Sequence, residues 1–456
     1  MITSRAWAGK HFGVLGLARS GLASVEALLA SGARVTAYDE RSAARDEALK
    51  LGAIVDDLLE IDVKNMAGIV VSPGVPLNRH PIAAHAKAAG VPIIGDIELF
   101  AQARSQLPPH KVVGITGTNG KSTTTALVHH ILKTAGVPAT MGGNIGLPIL
   151  AQEPLTPNDS GVGVYVLELS SYQIDVTYSL DCDVAVLLNI TPDHLDRYES
   201  FDAYAAAKFR LVQMQSDEHH WVSTDDPVVR KLDRDAEDLV GPNGGVRAFP
   251  VTTLSDEGLV AVFEGFAAAR SGRIGFQRNW PSLQGPHNAQ NAAAAIAVGL
   301  ELGLGYSDIS RGLRTYPGLP HRMERVGERD GVTFINDSKA TNAEAAAPAL
   351  AAFRAVRWIL GGRAKTAELD ACMPHLGAVR SAYTIGEAGP MLAELLRPKL
   401  PVTEAGTLDR AVAAAAADAV PGDTVLLSPA CASFDQFRDF EDRGDQFRAL
   451  VKGLNP

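Results

Sequence analysis

The chain has 456 residues, 46% of them hydrophobic and 21% charged. That composition belongs to a globular protein able to bury real cores, which excludes disorder over most of the length, and at roughly 150 residues per domain it suggests about three domains. Lys and Arg number 42 against 52 Asp and Glu, a net charge of −10, and an acidic balance argues against a nucleic-acid or membrane-surface binder.

Cys182, Cys372 and Cys431 stand far apart and form no CxxC pair, so neither a disulfide framework nor a thiolate metal site is expected. No run approaches the ~18 apolar residues of a membrane span. The N-terminus, interrupted by Arg5, Lys10 and His11, reads as a first strand rather than a leader. A cytoplasmic protein with no membrane or nucleic-acid partner is the expectation.

Short apolar runs alternate with Ala- and Leu-rich helical stretches, the pattern of parallel sheets covered by helices, so the fold class is α/β. Two Pro-rich segments, 104–111 and 314–322, read as hinges. They divide the chain into 1–105, 106–316 and 317–456.

The first segment reads as strand (HFGVLG), glycine turn, helix (GLASVEALLASG) and strand (RVTAYD), followed by GIVVSPG and VPIIGD. This is half of a dinucleotide-type fold, with Asp39 at the end of the second strand, where such folds place a ribose-binding acid. Gly13, Gly16 and Gly21 are spaced three and five apart and do not match G-x-G-x-x-G. A nucleotide phosphate at the helix N-terminus is therefore a better expectation than NAD. The plainer reading is that these glycines only permit a tight turn.

The second segment opens with KVVGITGTNGKSTTTALVHHILKTAG. An apolar strand runs through Gly117, Thr118, Asn119, Gly120, Lys121, Ser122 and Thr123 into a helix, the setting of a phosphate-binding loop. Lys121 would bring its charge to the β- and γ-phosphates, and the Ser122 hydroxyl would ligate Mg²⁺. The strict pattern is not met, because Ile115 stands where its first glycine belongs. A buried strand, VYVLELSS, ends near Glu168, and another, DVAVLLNITPDHLDRY, aims Asp193, His194 and Asp196 at the same edge. Acids at the C-terminal edge of parallel strands face the crevice where ligands bind; alternatively Glu168 is salt-bridged and the two aspartates cap a turn. Lys208, in FDAYAAAKFRLV, reads alone as an amphipathic lysine. Asn144 lies in a glycine-rich loop, and Asn288 and Asn291 open an Ala-rich helix.

GTNGKST, LELSS, NITPDHLDRY, HNAQN, HRME, INDSKATN, LGGRAK and SPACASFDQF occur in this order. Together, over essentially the whole chain, they resemble the cytoplasmic Mur ligases, and most closely the branch that adds glutamate. The resemblance implies three domains: an N-terminal Rossmann-like domain for a UDP substrate, a central ATPase with a mostly parallel sheet, and a C-terminal Rossmann-like domain for the amino acid. It implies an ATP-dependent ligase that phosphorylates the carboxylate of UDP-N-acetylmuramoyl-L-alanine and lets the amine of D-glutamate attack. A carboxylate is a poor electrophile, so phosphorylation supplies the leaving group, and two anions must first be brought together, which calls for Mg²⁺ and Lys121.

Residue by residue, the resemblance places Ser122 and Glu168 on one Mg²⁺, and His194 on a second with Lys208 as an N-carbamylated side chain. Asn291, Arg322, Asp337 and Lys339 would serve the nucleotide, with Asp337 on its ribose. Asn144 would contact the muramoyl group. Gly16, Leu17, Ala18, Arg19 and Ser20, with Asp39 and Ser72, would serve the uridine diphosphate side. Thr341, Lys365, Ser433 and Phe434 would hold the amino acid, with Phe440 nearby. The N-terminal turn G-L-A-R-S-G is the main departure from the family's pattern. A monomer that closes about residues 314–322 is expected. The alternatives are a sister ligase adding L-glutamate or another amino acid, a folylpolyglutamate-synthase-like ligase, a nucleotide switch, or an NAD-dependent oxidoreductase.

Overall fold

A computed structural model describes residues 1–194, 196–216, 219–240, 247–253, 260–269, 272–364 and 368–454. The chain forms two compact units. One comprises Met1–Asn279 and Asn288–Thr315, the other Trp280–His287 and Tyr316–Pro456.

The first unit carries two sheets. The N-terminal sheet is built from β1 (His11–Leu15), β2 (Arg34–Tyr38), β3 (Ile54–Val55), β4 (Gly68–Val71) and β5 (Ile93–Ile94). All are parallel, in the order β3-β2-β1-β4-β5. The strand order reverses at β1 and β4, so the crevice for a ligand opens beyond their C-terminal ends. The helix after β1, Arg19–Ala30, begins there.

The second sheet holds β6 (His110–Thr116), β7 (Ala139–Gly143), β8 (Gly163–Glu168), β9 (Val184–Leu187), β10 (His220–Ser223), β11 (Arg247–Thr252), β12 (Val260–Phe263), β13 (Phe266–Ala269) and β14 (Gly272–Phe276). Its order is β14-β13-β12-β11-β10-β9-β6-β8-β7. β7 through β12 run parallel along this order, and β13 and β14 add an antiparallel ribbon. β8 and β9 are buried at every residue, as strands covered on both faces must be, which is why they read as unbroken apolar runs. At the open border, Arg273 lies over the Phe266 ring and Arg278 over the Phe276 ring.

Residues 104–111 do not form a free hinge. Arg104 Nε donates to His110 Nε2 (3.1 Å), and Gln106 holds the N-terminal turn through Ser4 Oγ (2.9 Å) and the Arg5 amide (2.8 Å). The segment is a fastened crossing inside the first unit.

The second unit has β15 (Glu324–Arg329), β16 (Val332–Asn336), β17 (Val356–Gly361), β18 (Val379–Ile385), β19 (Val402–Gly406) and β20 (Thr424–Leu427). The order is β15-β16-β20-β17-β18-β19, with β15 antiparallel and the rest parallel. Trp358 and Leu426 anchor one face of its core, Ile359 and Phe447 the other. Cys182, Cys372 and Cys431 are all buried free thiols.

The Arg19–Ala30 helix can pack against its own turn only through Gly21. A Cβ there would lie 1.9 Å from Gly16 O and 2.8 Å from Ser72 Oγ. Because the obstacle is backbone, Gly21→Ala is expected to destabilise the fold by about 1–3 kcal/mol or more. Thermal unfolding would show this as a melting point at least a few degrees below the parent's; an unchanged melting point would contradict the packing described.

Candidate functional site

The glycine loop joins the centre of the parallel sheet to the Lys121–Thr134 helix. Gly120 is the residue before that helix, at φ +82, and a Cβ on it would sit 2.2 Å from Asn291 Oδ1. The residue in the N-cap position, Gly120, has no side chain to cap the helix, and the positive dipole end of the helix lies at the loop, a setting suited to an anion. Lys121 Nζ donates to the carbonyls of Gly117 and Thr118, both at 2.8 Å. Ser122 is buried in the first turn.

The segment after β9 holds the loop from the other side. Thr118 N donates to Asn189 O (2.8 Å) and Asn119 N to Asn189 Oδ1 (2.8 Å). Asn189 Nδ2 donates to Asn119 O (3.1 Å) and Gln290 Oε1 (2.9 Å). Thr124 Oγ1 donates to Asn291 Oδ1 (3.2 Å). Asn291 thus supports the phosphate helix in addition to any nucleotide role.

Glu168 ends β8 beside Ile115 of β6 and is only 2% exposed. Asn144 Nδ2 donates to its Oε1 (3.1 Å), while Oε2 is buried with no hydrogen-bond partner among the described residues. A buried carboxylate oxygen without a donor is costly unless a cation meets it. Among the described residues no three His, Cys, Asp or Glu side chains gather into a metal cage. The donor set, one carboxylate and one hydroxyl, fits Mg²⁺, which takes few protein oxygens and completes its shell with phosphate and water.

Lys208, on the Phe201–Gln213 helix, is buried, and its Nζ donates to Gly117 O at 2.9 Å. The amine lies 4.6 Å from the Tyr204 ring centroid, and Tyr204 OH pairs with Thr118 Oγ1 (3.1 Å). Burial, then the charge of Lys121, brings the Lys208 amine down to about 7. His194 follows in the half-exposed loop after β9, at φ +54, with its ring 5.1 Å from Tyr172. Burial, Lys208 and Lys121 lower its pKa despite Asp193, so the imidazole is neutral and able to ligate a cation.

The loop carrying His194 is tied to the N-terminal sheet. Asn78 Nδ2 and Arg79 Nη2 both donate to Asp196 O (3.1 Å), and Arg197 donates to the carbonyls of Val75 (3.2 Å) and Gly74 (3.3 Å). A cleft lies between, lined by Ser72, Val75, Asn78, Tyr172 and Arg197. On its N-terminal side, Leu17 N donates to Asp39 Oδ2 (2.7 Å) and Ser72 Oγ to Gly16 O (2.6 Å). The hydrogen bond from Arg41 is the main reason Asp39 falls to about 2. Asp39 and Ser72 therefore shape the turn. Arg19 reaches across to Gly146 O (2.9 Å), and Ser20 O accepts from Ser24 Oγ.

In the second unit, Asp337 follows β16 and is buried, accepting from Ser428 Oγ (2.8 Å) and Met323 N (3.1 Å). Burial pushes its carboxyl up to about 7, against the pull of Ser428, Met323 and Arg322. Lys339 Nζ lies 3.6 Å from the Phe440 ring centroid. Ser433 is buried, Thr341 half-buried, and Phe434 64% exposed. Lys365 lies outside the described residues. Sequence reasoning missed Asn189, Gln290, Tyr172, Tyr204 and Arg197. The only signal for Asn189 and Arg197 was their place within NITPDHLDRY.

Residues 10–95 match the family model "Mur ligase MurD-like, N-terminal domain", 115–299 "Mur ligase middle domain", and 321–431 "Mur ligase, glutamate ligase domain". The chain is 57% identical over 455 residues to the UDP-N-acetylmuramoylalanine–D-glutamate ligase of Novosphingobium aromaticivorans, covering 100% of this chain and 97% of that one. It is 53% identical to the enzyme of the same name from Zymomonas mobilis, covering 100% of both. Among solved structures, the UDP-N-acetylmuramate-alanine ligase of Thermotoga maritima shares the fold at 16% identity and a TM-score of 0.59, over 98% of this chain and 100% of that one.

The depressed Lys208 amine makes a stability prediction. Unfolded, a lysine keeps its proton to an ordinary pKa of 10.5; folded, it releases it near 7. Between these values the folded state binds fewer protons, so this group alone makes stability rise with pH across that window. Lys208→Met is expected to melt above the parent at pH ~7, with the gain shrinking toward pH ~10. Circular dichroism melts at both pH values test it, and a lower melting point at the neutral value would contradict a buried, poorly solvated amine.

Proposed function

The chain belongs to the Mur ligase family, and from that premise we propose that it joins D-glutamate to UDP-N-acetylmuramoyl-L-alanine, using ATP and passing through an acyl phosphate. One observation carries the reading: a glycine loop with Lys121, and an unpartnered Glu168 oxygen on the adjoining strand, in a chain that aligns end to end with D-glutamate-adding ligases.

The alanyl carboxylate attacks the γ-phosphorus of ATP, and ADP leaves. The glutamate amine then attacks the acyl carbon, the tetrahedral adduct expels inorganic phosphate, and the amine proton is lost. The loop amides and Lys121 hold the transferring phosphoryl group and spread its charge. Ser122 and Glu168 would hold Mg²⁺, with Asn144 orienting the carboxylate; the ion supplies charge to offset carboxylate–phosphate repulsion. His194 would hold a second ion.

Lys208 would complete that second position as a carbamate. An amine that loses its proton near 7 is nucleophilic at neutral pH. Its nitrogen bonds to the carbon of CO₂ and releases a proton, which exchanges a cation for an anion and relieves the repulsion from Lys121.

Gly16, Leu17, Ala18, Arg19 and Ser20 present the turn to the uridine diphosphate, with Asp39 and Ser72 fixing the turn's shape. Asn291, Arg322, Asp337 and Lys339 serve the nucleotide. Thr341, Lys365, Ser433 and Phe434 serve the amino acid, whose two carboxylates call for at least two donors or cations. We divide the chain at 105/106 and 316/317 and assign the reaction to a cytoplasmic monomer.

Phosphate release should require UDP-N-acetylmuramoyl-L-alanine and D-glutamate together. Turnover with L-glutamate alone, or phosphate release without either co-substrate, would contradict the reading. Lys121→Ala should lower kcat by roughly 10²–10³, the scale of one lost preorganised charge contact. For the carbamate, labelled bicarbonate should give a carbamate carbon signal that disappears in Lys208→Ala, whose activity a small added carboxylate partly restores. A fully active enzyme with unmodified Lys208 would dismiss it.

A further inference from the structure

Arg443, on the Phe440–Gly453 helix, is 0% exposed. Its Nε donates to Ser338 Oγ (3.0 Å), and Nη2 to Ser338 O (2.8 Å) and Cys431 O (3.1 Å). Nη1 donates to Cys431 O (3.1 Å) and Gly361 O (3.4 Å). All of these acceptors are uncharged oxygens. Asp435 is the carboxylate whose charge reaches the group. Burial draws the guanidinium down to about 10, which leaves it protonated at neutral pH.

Enclosing a cation against carbonyls and one hydroxyl is a poor way to stabilise a core, because packed apolar groups do so without the desolvation cost. What the fork does provide is geometry. Its rigid donors reach the last residue of β17, Gly361, and the loops that follow β16 and β20 at once. These three strand ends are neighbours in the order β16-β20-β17. In parallel sheets that end forms the ligand crevice. Ser338 lies three residues before Thr341, and Cys431 lies two residues before Ser433 and three before Phe434. Beside the fork, Arg363 N donates to Ala432 O (2.8 Å) and Ala432 N to Arg363 O (3.0 Å), so the β17 and β20 loops are also laced directly.

We propose that Arg443 is a positioning residue: it locks the three strand ends and their loops into one surface that recognises the incoming amino acid. The proposal rests on the reading given under Proposed function. Asp337 and Lys339, on the nucleotide side of the same segment, have ties of their own: Asp337 to Ser428, to Met323 N and, through its amide, to Leu427 O (2.7 Å), and Lys339, through its amide, to His321 O (3.0 Å). Loosening the fork therefore affects the amino acid and spares ATP.

The test uses the full chain with Arg443→Lys, which keeps the charge and loses the fork, and Ser338→Ala, which removes one acceptor. Arg443→Lys should raise KM for D-glutamate about tenfold or more, as expected when substrate-positioning groups are displaced. KM for ATP and for UDP-N-acetylmuramoyl-L-alanine should stay unchanged, and kcat at saturating glutamate should stay within about threefold. Ser338→Ala should move the same constant by less. Hydrogen exchange should quicken in peptides spanning 337–342 and 428–437 and stay unchanged in β1 to β5. A folded variant with unchanged KM for glutamate, or one in which all three KM values rise together, overturns the proposal. So does unaltered exchange in those peptides. Where Arg443→Lys does not fold, Ser338→Ala decides by the same constant. A parent enzyme that does not join glutamate overturns the functional reading instead, and the exchange measurement still tests the lock.

Discussion

Two lysine ammonium groups converge on one backbone oxygen. Lys121 and Lys208 both reach Gly117 O, at 2.8 and 2.9 Å, from different helices. Like charges this close in a buried place cannot both persist at little cost. Lys121 borders the helix N-terminus, while Lys208 is enclosed, and burial with the charge of Lys121 brings its amine down to about 7. The central site is organised by that asymmetry: a cation at the helix end and, beside it, an amine that holds its proton weakly. The remaining parts keep the asymmetry in place. Asn189 fixes the loop backbone, Tyr204 covers the Lys208 amine, and Asn291 blocks any side chain at position 120.

Much of the fold and part of the site were legible in the sequence, and the division has a physical basis. Strands buried on both faces must be continuously apolar, so β6, β8 and β9 announced themselves. The glycine loop was visible because phosphate binding constrains consecutive residues. Glu168 and His194 drew notice as candidates because one ends a buried strand and the other lies on the loop that follows a buried strand. The chemistry of Lys208 was not legible. On a helical wheel it is an ordinary lysine, and its burial depends on a carbonyl 91 residues away in the chain. Asn189 and Gln290 were silent for the same reason: their partners lie 70 and 101 residues distant. The antiparallel ribbon β13–β14 was also missed, since its short Ala- and Gly-containing strands carry weak patterning.

The N-terminal turn shows how a residue that looks like a binding group can be an architectural one. Asp39 stands where a ribose-binding acid is expected, yet its oxygens accept from Arg41 and from the Leu17 amide. Its strong acidity follows from those bonds and secures the turn. Beside the turn, the cleft wall carries Tyr172 and Arg197, with the guanidinium 4.6 Å from the centre of the phenol ring.

The nine-stranded sheet ends on β14, which among the described residues has no strand paired on its outer side. Such a margin can recruit an extended segment from another molecule and seed fibrils. Here two aromatic rings on the ribbon are roofed by guanidinium groups, Arg273 above Phe266 and Arg278 above Phe276. A second molecule approaching that margin would have to strip water from two fixed positive charges before its first main-chain bond formed. The same pairs that shield the rings thus act as an electrostatic fence against edge-to-edge association.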